Sequence, residues 1–236
     1  MKKLYNIIID KLPENEDVVL PRFNRKIVTF INAFSFYQGL SIKDQYEEFD
    51  FIAFDGIYPV FLLKIFRPSI KTLRLSFDMT SVAKSLFDFC IDKKLSMFFL
   101  GSKQNEVENF FKIITREYPQ LIVKGYHNGY LGDKEDSILK NIIKSKPDVI
   151  IIGMGSPLQD KIAVKIKKMG FKGSIYTCGG FFHQTKNKVN YYPEWINKYN
   201  LRFFYRLSKE PHVFQRGFAF YFRFFFDSLN FFLFKN

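Results

Sequence analysis

The chain is poor in the residues that build metal and disulfide sites. Its 236 residues include two cysteines, Cys90 and Cys178, and three widely separated histidines, His127, His183 and His212. Their spacing matches no zinc motif, and the chain has no Asp-x-Asp motif of the kind that holds a metal against a diphosphate. We therefore expect no metal and no cofactor. Two unpaired cysteines are also typical of a reducing cytoplasm.

Long apolar runs, internal repeats and linkers rich in Pro, Gly or Ser are also missing. No apolar run approaches the ~18–20 residues that a membrane-spanning helix needs. The apolar stretch within residues 1–10 is too short for a signal peptide, and we expect these residues to form a leading strand. The length fits one substantial core with a small appendage.

Four short apolar runs lead into glycines, and segments with helical periodicity separate them. The runs cover residues 51–54, 97–100, 148–152 and 174–178, and helical periodicity covers 107–118 and 134–146. This alternation predicts an α/β fold, a Rossmann-like, mostly parallel sheet flanked by helices. Ligands of such sheets bind beyond the carboxyl ends of the strands, where Asp55, Ser102, Gln159 and Gly179-Gly180 would lie.

The loop at residues 153–160 reads Gly-Met-Gly-Ser-Pro-Leu-Gln-Asp and follows the apolar run 148–152. A Gly-x-Gly turn between a strand and a helix lets the backbone approach a phosphate closely. The loop has neither the third glycine of a dinucleotide fingerprint nor the Gly-Lys-Ser/Thr of a P-loop, so its own signal for a nucleotide is weak.

Seven motifs in one order carry a more specific signal. They are Asn32-Ala33, Phe54-Asp55-Gly56, Phe99-Leu100-Gly101, Lys146-Pro147-Asp148, the loop 153–160, Gly179-Gly180 and the segment 205–211. Over residues 28–216 the chain thereby resembles the WecG/TagA/CpsF family of bacterial glycosyltransferases. That family makes cell-surface polysaccharides and the linkage units of wall teichoic acid.

The resemblance implies a reaction and a set of residues. A sugar, typically N-acetylmannosamine or its uronic acid, would pass with inversion and without a required metal from a UDP-sugar to a lipid-diphosphate-linked saccharide. The family's catalytic base falls on Asp55. Substrate contacts fall on or beside the motifs, at Asn32, Arg74, Gly101, Ser102, Gly153, Gly155, Gln159, Gly179, Gly180, Arg206 and Arg216.

Four departures from the family pattern cluster where donor and acceptor would bind. Phe30 stands where a Thr is usual, and Val213 replaces a C-terminal arginine. The stretch after Arg74 reads Ser-Phe-Asp and is one residue short, and Phe-Phe-His at 181–183 replaces Ala-Phe-Asp. These changes leave the donated sugar open.

The chemistry can also be argued from the residues. Inverting transfer needs a base for the acceptor hydroxyl and positive charge or dipoles for the departing diphosphate. Asp55 suits the first task, although an Asp-Gly pair is also typical of an ordinary turn. Lys103, Arg206, Arg216 and the N–H groups of the glycine turns suit the second, and arginine binds phosphate in a bidentate manner.

The net charge of +13 indicates an anionic partner. Residues 213–236 contain ten Phe and one Tyr interrupted by arginines, which is typical of an interfacial helix on anionic lipid. Alternatively, these phenylalanines cap the core. We expect an α/β glycosyltransferase domain at 1–200 and a basic, aromatic, membrane-associating appendage at 201–236. The enzyme would be cytoplasmic and peripheral to the membrane, with no nucleic acid partner, and its oligomeric state stays open.

Two other classes share parts of this pattern. A nicotinamide-dependent oxidoreductase would use the Gly-x-Gly turn, but the third glycine and the acidic residue at the end of the next strand are missing. A non-catalytic membrane or nucleic-acid binder would explain the charge and the aromatic residues. It would leave Asp55 and Gln159 without a role.

Overall fold

A computed structural model describes residues 1–21, 25–185, 196, 205 and 211–233, with side chains in the last range from 219 onward. At its centre lies a six-stranded sheet with the strand order β2-β1-β6-β5-β3-β4, and every pairing is parallel. The strands are β1 Ile27–Ile31, β2 Phe51–Phe54, β3 Ser96–Gly101, β4 Ile122–His127, β5 Val149–Gly153 and β6 Ser174–Thr177. The predicted α/β fold with a parallel sheet is confirmed.

Helices connect and flank the strands. They are α1 Lys2–Asp10, α2 Ala33–Gly39, α3 Ile57–Phe66, α4 Val82–Asp92, α5 Gln104–Glu117, α6 Glu135–Lys144, α7 Leu158–Lys168, α8 Phe181–Thr185 and α9 Pro211–Leu233. Short 3-10 helices cover Asp17–Val19, Leu40–Glu48 and Gly132–Lys134. The predicted helical segments at 107–118 and 134–146 correspond to α5 and α6.

The prediction of a strand at the N-terminus is wrong, because residues 2–10 form helix α1. Its buried side chains are Leu4, Tyr5, Ile7 and Ile8. This spacing of three and four residues places them on one face of a helix, whereas a strand would divide them between two faces.

Alternate strand residues face two separate cores, as the period of a β-strand requires. In β5, Ile150 and Ile152 pack in one core with α1, α2, α3, α6, α7 and α9. Val149 and Ile151 pack in the other core with α4, α5 and α8. The sheet is therefore covered on both faces, which explains why its central strands read as continuous apolar runs.

Helix α9 lies against α1, α2 and α3. The Tyr5 hydroxyl and Ser228 Oγ are 2.8 Å apart, and the Tyr37 hydroxyl donates to Asp227 Oδ2 at 2.5 Å. Phe224 and Phe231 are buried in the core that α1 and α2 share. Among the described residues, no helix has both the length and the apolar character needed to span a bilayer. The boundary predicted near residue 200 falls outside the described residues and stays a prediction.

Candidate active site

The carboxyl ends of the strands form one edge of the sheet, and the connections leave this edge in opposite directions. After β3 the chain enters α5 on one face, and after the neighbouring β5 it enters α7 on the other. Such a divergence between adjacent parallel strands opens a crevice beyond their carboxyl ends.

Two glycines at this point are needed for packing. Gly101 and Gly153 pair in register at the ends of β3 and β5. A Cβ on Gly101 would lie 2.2 Å from the Gly153 carbonyl oxygen, and one on Gly153 would lie 2.8 Å from Cys178 Sγ. Close packing, against backbone at Gly101 and against side chains at Gly153, therefore explains both residues without a ligand, and their contact with substrate stays a prediction.

Three other glycines form open turns along the same edge. Gly56 follows β2 with φ 112°, Gly155 follows β5 with φ 74°, and Gly179 follows β6 with φ 54°. A Cβ on any of them would meet no atom within 4 Å. Backbone at such turns is accessible to a ligand, and a side chain there would both strain the backbone and fill the space.

Asp55 directly follows β2 and is half-buried. Its amide donates to the Ile31 carbonyl at 2.9 Å, which extends the sheet pairing to this residue. The buried Ser76 hydroxyl donates to Asp55 Oδ1 at 2.7 Å and accepts from Arg74 Nη1 at 3.4 Å. A short bridge between Phe54 and Arg74 places this second segment beside β2. A single hydroxyl thus links the carboxylate to a guanidinium group.

Asn32 lies beside Asp55, because Ile31 and Phe54 are partners in the pairing of β1 with β2. Its side-chain oxygen accepts from the Ser35 amide at 3.0 Å and caps α2, and Ser35 Oγ accepts from the Asn32 amide at 2.8 Å. This capping box fixes the start of α2 at the edge of the site. The oxygen of Asn32 is therefore engaged within α2.

Gln159 connects two of the turns and has an exposed fraction of 3%. Its Oε1 accepts from the Gly179 amide at 3.0 Å, so the first turn of α7 braces the turn after β6. The structure thus brings Gln159 and the Gly179-Gly180 turn together. A direct contact of Gln159 with substrate stays a prediction.

Asp160, the next residue, is fully buried and forms a network that sequence reasoning missed. Thr29 Oγ1 donates to Asp160 Oδ1 at 2.6 Å, the Tyr46 hydroxyl donates to Oδ2 at 3.3 Å, and Ser156 also donates to Oδ2. Thr29 Oγ1 lies 2.8 Å from Thr177 Oγ1. The network ties the loop after β5 to β1, β6 and the 3-10 helix Leu40–Glu48. Threonine within the otherwise apolar run of β1 was the available signal.

Burial dominates the electrostatics of this network. It raises the pKa of the Asp160 carboxyl above its ordinary value, although the hydrogen bonds from Ser156, Thr29 and Tyr46 act in the opposite direction. Burial and the neighbouring Asp160 also raise the pKa of the Tyr46 hydroxyl. Both shifts follow from the cost of charge in a poorly solvated interior.

A second polar group lies at the end of β3. Ser102, at φ 58°, donates from Oγ to Glu106 Oε2 at 2.5 Å. His183 Nδ1 lies 2.6 Å from Glu106 Oε1, and its side chain is 50% exposed. Sequence reasoning noted His183 as a departure from the family pattern and missed Glu106. Their common partner joins α5 to α8 at the mouth of the crevice.

The predicted residues are thus spread along the edge. Ser102 and Asp55 follow strands four positions apart, a separation of about 19 Å at the usual strand spacing. Arg206 lies outside the described residues, and so does the side chain of Arg216. Within the described part of the chain, no three His, Cys, Asp or Glu side chains form a group suited to a metal ion. A metal-free reaction stays a prediction.

Comparison with known proteins gives a consistent family match. A family model described as the glycosyl transferase WecG/TagA/CpsF family matches residues 3–234. A Shigella boydii relative, named UDP-Gal:alpha-D-GlcNAc-diphosphoundecaprenol beta-1,4-galactosyltransferase, is 36% identical over 217 residues, covering 90% of this chain and 87% of the relative. A Bacillus subtilis (strain 168) relative, named N-acetylglucosaminyldiphosphoundecaprenol N-acetyl-beta-D-mannosaminyltransferase, is 25% identical over 193 residues, covering 80% and 74%.

Proposed function

Because the chain belongs to the WecG/TagA/CpsF family of glycosyltransferases, we propose that it transfers a hexose from a UDP-sugar to a GlcNAc-diphosphoundecaprenol acceptor. The relatives from Shigella and Bacillus differ in the sugar that their names give, and both names contain this acceptor. The product would be a lipid-linked disaccharide for cell-surface polysaccharide or teichoic acid synthesis.

We propose galactose as the donated sugar. The galactosyltransferase relative is 36% identical over 90% of the chain, whereas the N-acetylmannosaminyltransferase relative is 25% identical over 80%. Galactose lacks the N-acetyl group of the sugar that the family resemblance alone implies.

The observation that carries the proposed chemistry is the placement of Asp55. The carboxylate stands at the carboxyl end of an edge strand, half-buried, with Ser76 holding one of its oxygens. Its other oxygen is suited to accept a proton from the acceptor hydroxyl. Ser76 restricts the rotation of the carboxylate, so the base needs little reorganisation when the acceptor arrives.

The bond changes in this reaction balance without a further reactant. The acceptor oxygen forms a bond to the anomeric carbon of the donor sugar from the face opposite the diphosphate, and Asp55 takes the hydroxyl proton. The bond between the anomeric carbon and the diphosphate oxygen breaks, and UDP leaves with that electron pair. An α-linked donor sugar would then become β-linked, which is inversion.

The open turns suit the departing UDP. Gly155 and Gly179 lie after β5 and β6, between Asp55 and the polar group at Ser102. The open space at these turns lets a diphosphate approach backbone dipoles, and Gln159, which accepts from the Gly179 amide, keeps that turn in place. Arg206 and Arg216 are proposed to add the positive charge that the resemblance assigns to them.

We also propose a peripheral position on the cytoplasmic face of the membrane. The acceptor's lipid carrier is membrane-bound by its chemistry, and the net charge of +13 favours an anionic surface. Part of α9 faces outward, with Phe222 61% and Phe226 50% exposed.

A donor panel tests this function. The protein is incubated with UDP-galactose, UDP-N-acetylglucosamine or UDP-N-acetylmannosamine and a short-chain GlcNAc-diphospholipid, and the product is identified by mass and its linkage by NMR. A β-linked galactosyl product is expected. Preference for another UDP-sugar would refute the donor assignment alone, and absence of transfer from all three would refute the proposed function.

A further inference from the structure

Helix α3 carries an exposed apolar stripe at helical spacing. Ile57, Phe61 and Ile65 are 47%, 57% and 54% exposed, and they follow one another four residues apart. Residues at i, i+4 and i+8 lie along one side of a helix. The opposite side of α3 packs into the core through Val60 and Leu63. A two-sided apolar helix of this kind is unusual on a surface that faces only water.

The stripe continues onto α9. Phe222, Phe226 and Leu233 are 61%, 50% and 59% exposed on the side of α9 that faces away from the buried Phe224 and Phe231. The two helices are joined directly, since the Tyr58 hydroxyl donates to the Tyr221 carbonyl at 3.3 Å and the rings of Phe66 and Phe232 stack with centroids 5.4 Å apart. The inner faces of both helices pack in the same core, so their outer faces are exposed together in one surface layer.

Positive charge dominates around this layer. Helix α3 and the segment after it, up to residue 73, contain no Asp or Glu but have Lys64, Arg67 and Lys71. On α9 the side chain of Arg223 is 64% exposed, lies over the Tyr37 ring at 4.7 Å and has its Nε 3.5 Å from Asp227 Oδ2. Asp227, the acidic residue of α9, also accepts from the Tyr37 hydroxyl, and its side chain is only 21% exposed. Exposed phenylalanine and isoleucine among cations are suited to a layer of anionic headgroups over acyl chains.

We propose that the outer faces of α3 and α9 together dock on an anionic bilayer, and that α3 thereby holds Asp55 at the depth of the headgroups. Helix α3 begins at Ile57 with Gly56 as its N-cap, so the apolar stripe starts two residues from the proposed base. A lipid-diphosphate acceptor presents its sugar at that depth. The second half of this inference rests on the proposed function, whereas the docking does not.

A second copy of this chain is a less suitable occupant for the same surface. Two copies meeting through these faces would bring Lys64 and Arg67 of each chain against those of the other, and α3 has no acidic residue to pair with them. Like charges held close together oppose association, whereas anionic lipid is attracted to them.

Vesicle flotation tests the docking. Full-length protein is mixed with vesicles of phosphatidylglycerol and phosphatidylethanolamine, or of phosphatidylcholine alone, and the bound fraction is measured. Phe61→Ser with Ile65→Ser should weaken binding to the anionic vesicles by about tenfold or more, because two half-exposed apolar side chains lose their burial in lipid. Ile122→Ser, at a 43% exposed residue on the edge strand β4, is the matched control and should bind as the unchanged protein does.

Three further measurements complete the test. Thermal unfolding should show the same midpoint for the double variant and the control. Unchanged vesicle binding by the double variant would overturn the docking. If light scattering also showed that the variant had lost self-association, the result would favour a second copy of the chain as the occupant of this surface. The double variant should still transfer sugar to a short-chain acceptor in detergent-free solution. Its transfer to an acceptor embedded in vesicles should be slower than that of the unchanged protein. Equal rates of the two proteins on the embedded acceptor would overturn the placement of Asp55. Absence of transfer on both acceptors would count against the proposed function while leaving the flotation result intact.

Discussion

Replacement of Asp160 tests the buried network most directly. In Asp160→Ala, Thr29 keeps Thr177 as a partner at 2.8 Å, and the half-buried Ser156 can bind water. The fully buried Tyr46 hydroxyl loses its hydrogen bond to Asp160 and keeps the neighbouring Ser156. Loss of a hydrogen-bond partner by a buried polar group costs about 1–3 kcal/mol, so we expect a loss of about 2 kcal/mol in the free energy of unfolding. For a chain of this size that corresponds to a midpoint lowered by about 4–8 °C.

The pH dependence of this loss has a definite sign. Burial raises the pKa of Asp160 in the folded state above the unfolded value of about 3.9, so the folded chain holds this proton more tightly. The stability that comes from this tighter proton binding at Asp160 is fully present below the unfolded pKa and is lost as pH rises through the folded pKa. The stability difference between the unchanged protein and Asp160→Ala should therefore be largest in acid and should narrow across that window.

Urea unfolding at a series of pH values measures this difference. Asp160→Asn keeps the size of the side chain and its oxygen for Thr29 but has no charge. The stability of this variant should therefore lie closer to that of the unchanged protein, and it should lack the pH dependence that titration of Asp160 causes. A stability difference for Asp160→Ala that widens as pH rises would show that the hydrogen bonds outweigh burial and would refute the reasoning. If Asp160→Ala were as stable as the unchanged protein at every pH, the network would make no contribution to the free energy of unfolding.

The remaining predictions concern turnover and substrate binding. Asp55→Asn should keep UDP binding and lower turnover by roughly 10²–10⁴-fold, and Ser76→Ala should lower it by about tenfold; near-normal product formation by the Asn variant would exclude this base. Gly179→Ala should raise the donor KM, because its φ of 54° is strained for alanine and a methyl group would fill the open turn; an unchanged KM would place the donor elsewhere. EDTA should leave transfer unchanged, and activity that returns only with Mn²⁺ or Mg²⁺ would contradict this. Arg216→Ala should weaken UDP binding while Arg223→Ala should not, as isothermal titration would show.

The sequence predicts four of the six strands, β2, β3, β5 and β6, because each is short and apolar and lies just before a glycine. It misses β1, which leads into Asn32, and β4, which is only partly apolar. It fails at residues 1–10, where four apolar side chains at helical spacing were taken for a strand, since a short run gives little periodicity. The pairing of Asp55 with Gly56 at the end of β2 could be placed from the same pattern.

The partners of the site residues depend on contacts between distant segments. Ser76 lies 21 residues after Asp55 and reaches it through the bridge between Phe54 and Arg74. Thr29 and Asp160 are 131 residues apart. No local pattern encodes these distances, because register between strands and helices is set by packing of the whole sheet.

The contact between α1 and α9 also bears on how the protein is made. Tyr5 and Ser228 are 223 residues apart, and the ring of Phe231 stacks on Tyr5 with centroids 4.6 Å apart. Because α9 is synthesised long after α1 and α2, the parts of Tyr5 and Phe36 that α9 covers stay exposed while the chain between them is made. A nascent chain would present these aromatic residues to chaperones until α9 emerges, and a prematurely terminated chain would keep presenting them to proteases.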